Sequence, residues 1–145
     1  MRPGQIAVVL FTGLLLPVTS CVAQEAPRTV GELLDKGGSQ LDQRAVQMLL
    51  SGATIIGDFM QGLPGEKLEM TYAKDGTVKG FLGSTVHPAA GIWEVTDQGR
   101  LCSVLRDETN TEHRACTFWF RLGSDTYATA SPTPGSVIFL RRVSR

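Results

Sequence analysis

Two hydrophobic periods divide the chain. Before Gly52, apolar residues recur at helical spacing; beyond it they alternate. Thr29-Val30-Gly31-Glu32 has the spacing of a capping box, in which hydroxyl and carboxylate satisfy opposite backbone donors. Val30, Leu33 and Leu34 give a first short helix one apolar face, and Gly37-Gly38 ends it. Ser39 with Asp42 is a second start signal, and Leu41, Ala45, Met48 and Leu49 continue at helical spacing until Gly52. Residues 53–60 then form an apolar, β-branched run, followed by a Pro-Gly turn within Gln61–Glu66. Lys67 to Ala73 alternates cleanly, and Asp75-Gly76 is a hairpin signal before Thr77 to Leu82. Further strands are predicted at Gly91–Thr96, Arg100–Arg106, Ala115–Leu122, Asp125–Ala130 and Ser136–Val143, joined by Gly-, Pro- and Asp-rich turns. The predicted fold is mainly β (α+β). Two short N-terminal helices precede an antiparallel meander of about eight strands, barrel-like or strongly curved. The helical segment packs on the sheet or plugs one end.

The same alternation nominates an interior. Leu68, Met70 and Tyr72 share one strand face, as do Trp93 and Val95 on a later strand. Phe118 and Phe120 share a face with Cys116, and Trp119 points the other way with Thr117 and Arg121. Leu68, Met70, Tyr72, Trp93, Phe118 and Phe120 are together bulky enough to fill a small barrel. Trp93 and Trp119 are candidate contacts for an apolar ligand or a protein partner at a barrel mouth. Whether the interior is filled decides between those occupants.

The start of the chain reads as an address. Arg2, an apolar run from Ile6 to Val18 and small residues after it have the order of a secretory signal, placing the protein in the periplasm or cell envelope. Val18-Thr19-Ser20-Cys21 fits the site at which lipoproteins are cut, ending the signal at residue 20 and leaving Cys21 lipidated and anchored in the outer membrane. Cleavage after Ala23 fits an ordinary signal peptide spanning residues 1–23. Residues 24–28 then form a tether and 29–145 a single domain. There are three cysteines, an odd number for an exported chain. Assigning Cys21 to the signal or the lipid leaves Cys102 and Cys116 on neighbouring strands, where an oxidising compartment favours a disulfide.

Charge and chemistry narrow the function classes further. All 14 acidic residues lie beyond Gln24 and only Arg2 leaves with the signal, so the mature chain is near neutral and carries no nucleic-acid footprint. Arg141, Arg142 and Arg145 read as a small solvated basic tail. There is no phosphate loop, nucleophile elbow or His-Glu-x-x-His metal motif, and no cofactor is expected. His87 and His113 fall in predicted loops with no second ligand at metal spacing, and Asp107-Glu108 sits at a hairpin tip. The roles of an active site cannot be filled, so the chain is read as non-enzymatic.

Several segments in order resemble a known family. They are Ser51-Gly52-Ala53-Thr54-Ile55-Ile56-Gly57, Tyr72-Ala73-Lys74-Asp75-Gly76-Thr77-Val78-Lys79-Gly80, Gly91-Ile92-Trp93-Glu94-Val95 and Gly99-Arg100-Leu101-Cys102, with a second Cys116. Together they resemble the proteobacterial exported family catalogued as domain of unknown function 995, from about Leu41 to Leu140. The resemblance implies an exported small domain with a disulfide and supplies no activity. The leading expectation is an envelope interaction module or inhibitor-like domain, using loops such as Asp107 to Arg114 against an envelope protein. The alternative is a lipocalin-like carrier holding a small apolar ligand in the barrel.

The two cut sites predict different products. With a lipid anchor, Cys21→Ser blocks maturation and removes the protein from the membrane fraction. An unchanged, soluble product beginning at Gln24 in N-terminal sequencing excludes the anchor.

Overall fold

The structure is a computed structural model that describes residues 25–58, 67–83 and 87–145. The N-terminal segment read as an export signal, Cys21 with it, the Pro-Gly turn within Gln61–Glu66 and residues 84–86 lie outside the described residues. The elements in chain order are α1 (Val30–Asp35), β1 (Ser39–Gln40), α2 (Gln43–Leu50), β2 (Ala53–Asp58), β3 (Lys67–Tyr72), β4 (Thr77–Gly83), β5 (His87–Val95), β6 (Arg100–Asp107), β7 (Glu112–Arg121), β8 (Thr126–Ala130) and β9 (Phe139–Ser144). Strands β2 to β9 pair antiparallel with their sequence neighbours, and β9 returns to pair with β2 from Thr54↔Ser144 to Gly57↔Arg141. The result is a closed eight-stranded up-and-down barrel, as the strand spacing predicts. Closure matters physically because it leaves these eight strands without an unpaired edge.

Local chemistry sets the turns. At the β3–β4 hairpin Gly76 takes φ +86°, a conformation open to glycine, and the Asp75 carboxylate accepts hydrogen bonds from the Thr77 N–H at 2.9 Å and its hydroxyl at 2.6 Å. At the β6–β7 hairpin Asp107 Oδ1 accepts from the N–H groups of Thr109 and Thr111, both at 2.9 Å. That clamp tightens the turn, so pairing resumes already at Glu112 (Arg106↔Glu112). His113 therefore lies in a strand rather than in a loop. His87 also opens a strand, β5, because Pro88 is tolerated so near a strand's start.

The helices differ from expectation at their starts. Asp42, not Ser39, caps α2, accepting from the Ala45 N–H at 2.7 Å. Ser39 instead pairs with Arg121, where β7 overhangs β6. Thr29 caps α1 as expected, but the Glu32 carboxylate accepts from Arg28 N–H at 2.8 Å rather than closing the box on Thr29. A bridge, Thr29↔Val137, also ties this entry to the segment before β9. The tether is accordingly shorter than residues 24–28: Pro27 is buried and the Arg28 carbonyl accepts from Ile138 N–H at 3.1 Å.

Two cores result. The larger fills one end of the barrel, where Leu41, Val46 and Leu50 from the α2 region meet Ile55, Met70, Tyr72, Val78, Trp93, Leu101, Trp119 and Tyr127. The smaller lies outside the barrel wall, where Val30, Leu33 and Ile138 cover Phe120, Ala128 and Ala130. The small alanines let α1 sit close. Phe120, expected in the interior, thus packs under α1, and Phe118 packs partly against the same cluster.

Leu50→Ala opens the plugged end and should cost about 2–5 kcal/mol in urea unfolding, the range for a fully buried leucine. Cys102 and Cys116 are bonded across β6–β7 on the outer wall, 14 residues apart. Replacing both with serine should lower stability by about 2–3 kcal/mol on the loop-closure model, with the barrel still formed.

Candidate functional site: the hollow inside the barrel

Small side chains make the barrel hollow beyond its plugged end. Ser103 and Ala115 face each other across β6 and β7, and Thr117 and Thr129 follow on the same inner surface. These residues leave a cavity of about 560 Å³. Its apolar wall comes from Ile55, Leu68, Met70, Leu101, Leu105 and Phe139. Tyr72, Trp119 and Arg141 line it as well. Glu112, His113 and Arg114 border it near the β6–β7 turn.

Arg141 is the residue the sequence reading missed. It belongs to a supposed solvated tail, yet only 9% of it is exposed. Strand parity explains the difference. Phe139, Arg141 and Val143 project inward from β9, whereas Leu140 and Arg142 project out. The inward placement of Phe139 and Val143 was the available signal. The guanidinium lies 5.6 Å from the centre of the Phe139 ring and donates to the Leu140 carbonyl at 3.0 Å. Gly57 across the barrel seam gives it room: a Cβ there would stand 2.8 Å from the guanidinium and 2.5 Å from the Leu140 oxygen.

The two tryptophans fare differently. Trp93 is core, meeting Tyr72 edge-on at 5.5 Å and donating its indole N–H to the Ala73 carbonyl at 2.9 Å. Trp119 lies on the cavity wall and is 1% exposed, deep on the side toward α2 rather than at a mouth. Its indole N–H is buried with no hydrogen-bond partner among the described residues. Such a donor has given up water without compensation.

Charges collect at the β6–β7 end. His113 Nε2 lies 2.9 Å from Asp107 Oδ2, and that contact, with the Thr109 and Thr111 donors, holds the Asp107 carboxyl well below the usual range. Arg114 and Arg106 flank Glu112 and lower its carboxyl likewise, Arg114 through the stronger hydrogen bond. Among the described residues no three His, Cys, Asp or Glu side chains gather to hold a metal ion.

Burial pushes the Tyr72 phenol up to about 12, with the Arg141 charge opposing the rise. A tyrosine in the unfolded chain ionises near 10. Stability is therefore unaffected below about pH 10 and falls between about 10 and 12, by up to about 2–3 kcal/mol. Tyr72→Phe should flatten that slope in urea melts taken across this window, and tyrosinate absorbance should lose its latest-titrating step.

No family model, no curated protein and no solved structure matches the chain. The resemblance to the exported family rests on its ordered motifs alone.

Proposed function

We propose that the protein is an exported, non-enzymatic carrier that holds a small apolar ligand inside its barrel. The observation that supports this reading is the cavity itself. Its volume, about 560 Å³, falls within the roughly 300–1,000 Å³ typical of small-molecule sites, and its wall is mostly apolar. The alternative, an interaction module, calls for a packed interior. Two of the side chains meant to pack it, Phe118 and Phe120, belong to the outer cluster instead. The loop that reading relied on also shrinks, since Glu112 to Arg114 are strand and only residues 108–111 form the turn. The export signal and the resemblance to an exported family favour an envelope ligand over a cytoplasmic one.

The test is saturable binding of the neutral fluorophore N-phenyl-1-naphthylamine to the purified mature protein. Ser103→Phe, which fills the hollow at its smallest facing pair, should weaken binding at least tenfold with the thermal midpoint kept. Native mass spectrometry of protein taken from its own envelope should show a co-purifying small molecule. Equal binding by the filled variant, or a stoichiometric protein partner in place of a small molecule, would return the choice to the interaction module.

A further inference from the structure

We propose that the free stretch of β7 pairs antiparallel with the same stretch of a second copy, on a twofold axis at His113. The inference goes beyond the carrier reading and does not depend on it. The ring closes at the height of β8, and β7 runs past that closure. Its pairing with β6 extends from Phe118 back to Glu112, whereas its pairing with β8 covers only Phe118 to Arg121. Among the described residues, no strand pairs with the other side of Glu112–Thr117. Antiparallel strands turn successive residues to opposite sides for hydrogen bonding. The Asp107 N–H donates to the Thr111 carbonyl at 3.1 Å, so the odd-numbered residues of β7 bond toward β6. The Leu122 N–H donates to the Thr126 carbonyl at 3.0 Å, so the even-numbered ones bond toward β8. Glu112, Arg114 and Cys116 therefore aim their backbone N–H and C=O groups at the open side. The hollow reaches this side too: Glu112 and Arg114 face outward yet border it beside inward-facing Ala115 and Thr117.

An exposed edge is a template for another strand, and proteins often blunt one with charge. Here the order of charges admits one partner. Read antiparallel against itself about His113, the stretch sets Glu112 opposite Arg114 of the second copy, and Arg114 opposite its Glu112. Both positions are even-numbered, so both pairs can exchange backbone hydrogen bonds. A slip of two residues either way puts Arg114 against Arg114 or Glu112 against Glu112, which like-charge repulsion disfavours. The paired stretch, Thr111 to Ala115, ends short of Phe118, where β8 takes over the edge. Such an isologous contact closes after two copies. The ladder is short, so the association belongs to the weak, reversible class.

Sedimentation velocity of the purified mature protein over a micromolar concentration series reads this directly. The wild-type chain should move from monomer toward dimer, and no further, as concentration rises. Arg114→Pro removes an N–H that points at the partner and none that β6 uses. It should keep the barrel's circular dichroism and abolish the dimer. Glu112→Arg and Arg114→Glu should each weaken self-association at least tenfold. An equal mixture of those two variants should recover it, because opposite charges then meet in both pairs. A wild-type monomer throughout, association that survives Arg114→Pro, or a mixture no better than its parts overturns the proposal. Should the proline variant not fold, the mixture decides. Probe binding in the hollow is a separate readout, so failure here leaves the carrier reading standing.

Discussion

Everything in this molecule depends on one constraint, the period of two along its strands. Each of the eight barrel strands must deliver alternate residues to a closed interior, and a slip of one position would turn the whole set outward. The pairing from Ala53↔Tyr72 round to Thr54↔Ser144 is continuous, so no single strand can shift alone. That rigidity permits a hollow. An open sheet with small inner residues would collapse or admit water along its edges. A hydrogen-bonded ring holds its wall apart while Ser103, Ala115, Thr117 and Thr129 leave space within.

The two N-terminal helices solve separate problems. Helix α2 closes one end of the ring, its buried Val46 and Leu50 meeting the aromatic floor of the chamber. Helix α1 covers the outside of β7 and β8, which would otherwise expose Phe120. This makes β7 apolar on both faces, with Trp119 inside and Phe120 outside. The chemistry of the site follows from the first arrangement, since the plugged floor is where Tyr72 and Trp119 are held.

The strands were legible because turns and alternation are local. Asp75-Gly76 and the Lys67–Ala73 pattern identify their hairpin with no tertiary information. The inner face of β7 was not legible, because Cys116-Thr117-Phe118-Trp119-Phe120 is apolar on both faces and only the position of α1 assigns them. Pairing of Ser39 with Arg121 and the strand start at His87 likewise depend on distant partners. Arg141 is the instructive case. Charge and a place near the chain end suggested solvent, whereas the structure sets it on the inner face with Phe139 and Val143; in a closed barrel, parity governs.

The seam between β2 and β9 also has a consequence for timing. The strand that completes the ring is the last one made, and it pairs with the first barrel strand across nearly the whole domain. A contact so distant in sequence forms late, and partial chains lacking it expose two sheet edges. The barrel therefore cannot lock until its last strand is available. The same strand carries Arg141, so the chamber gains its charge in the step that seals it.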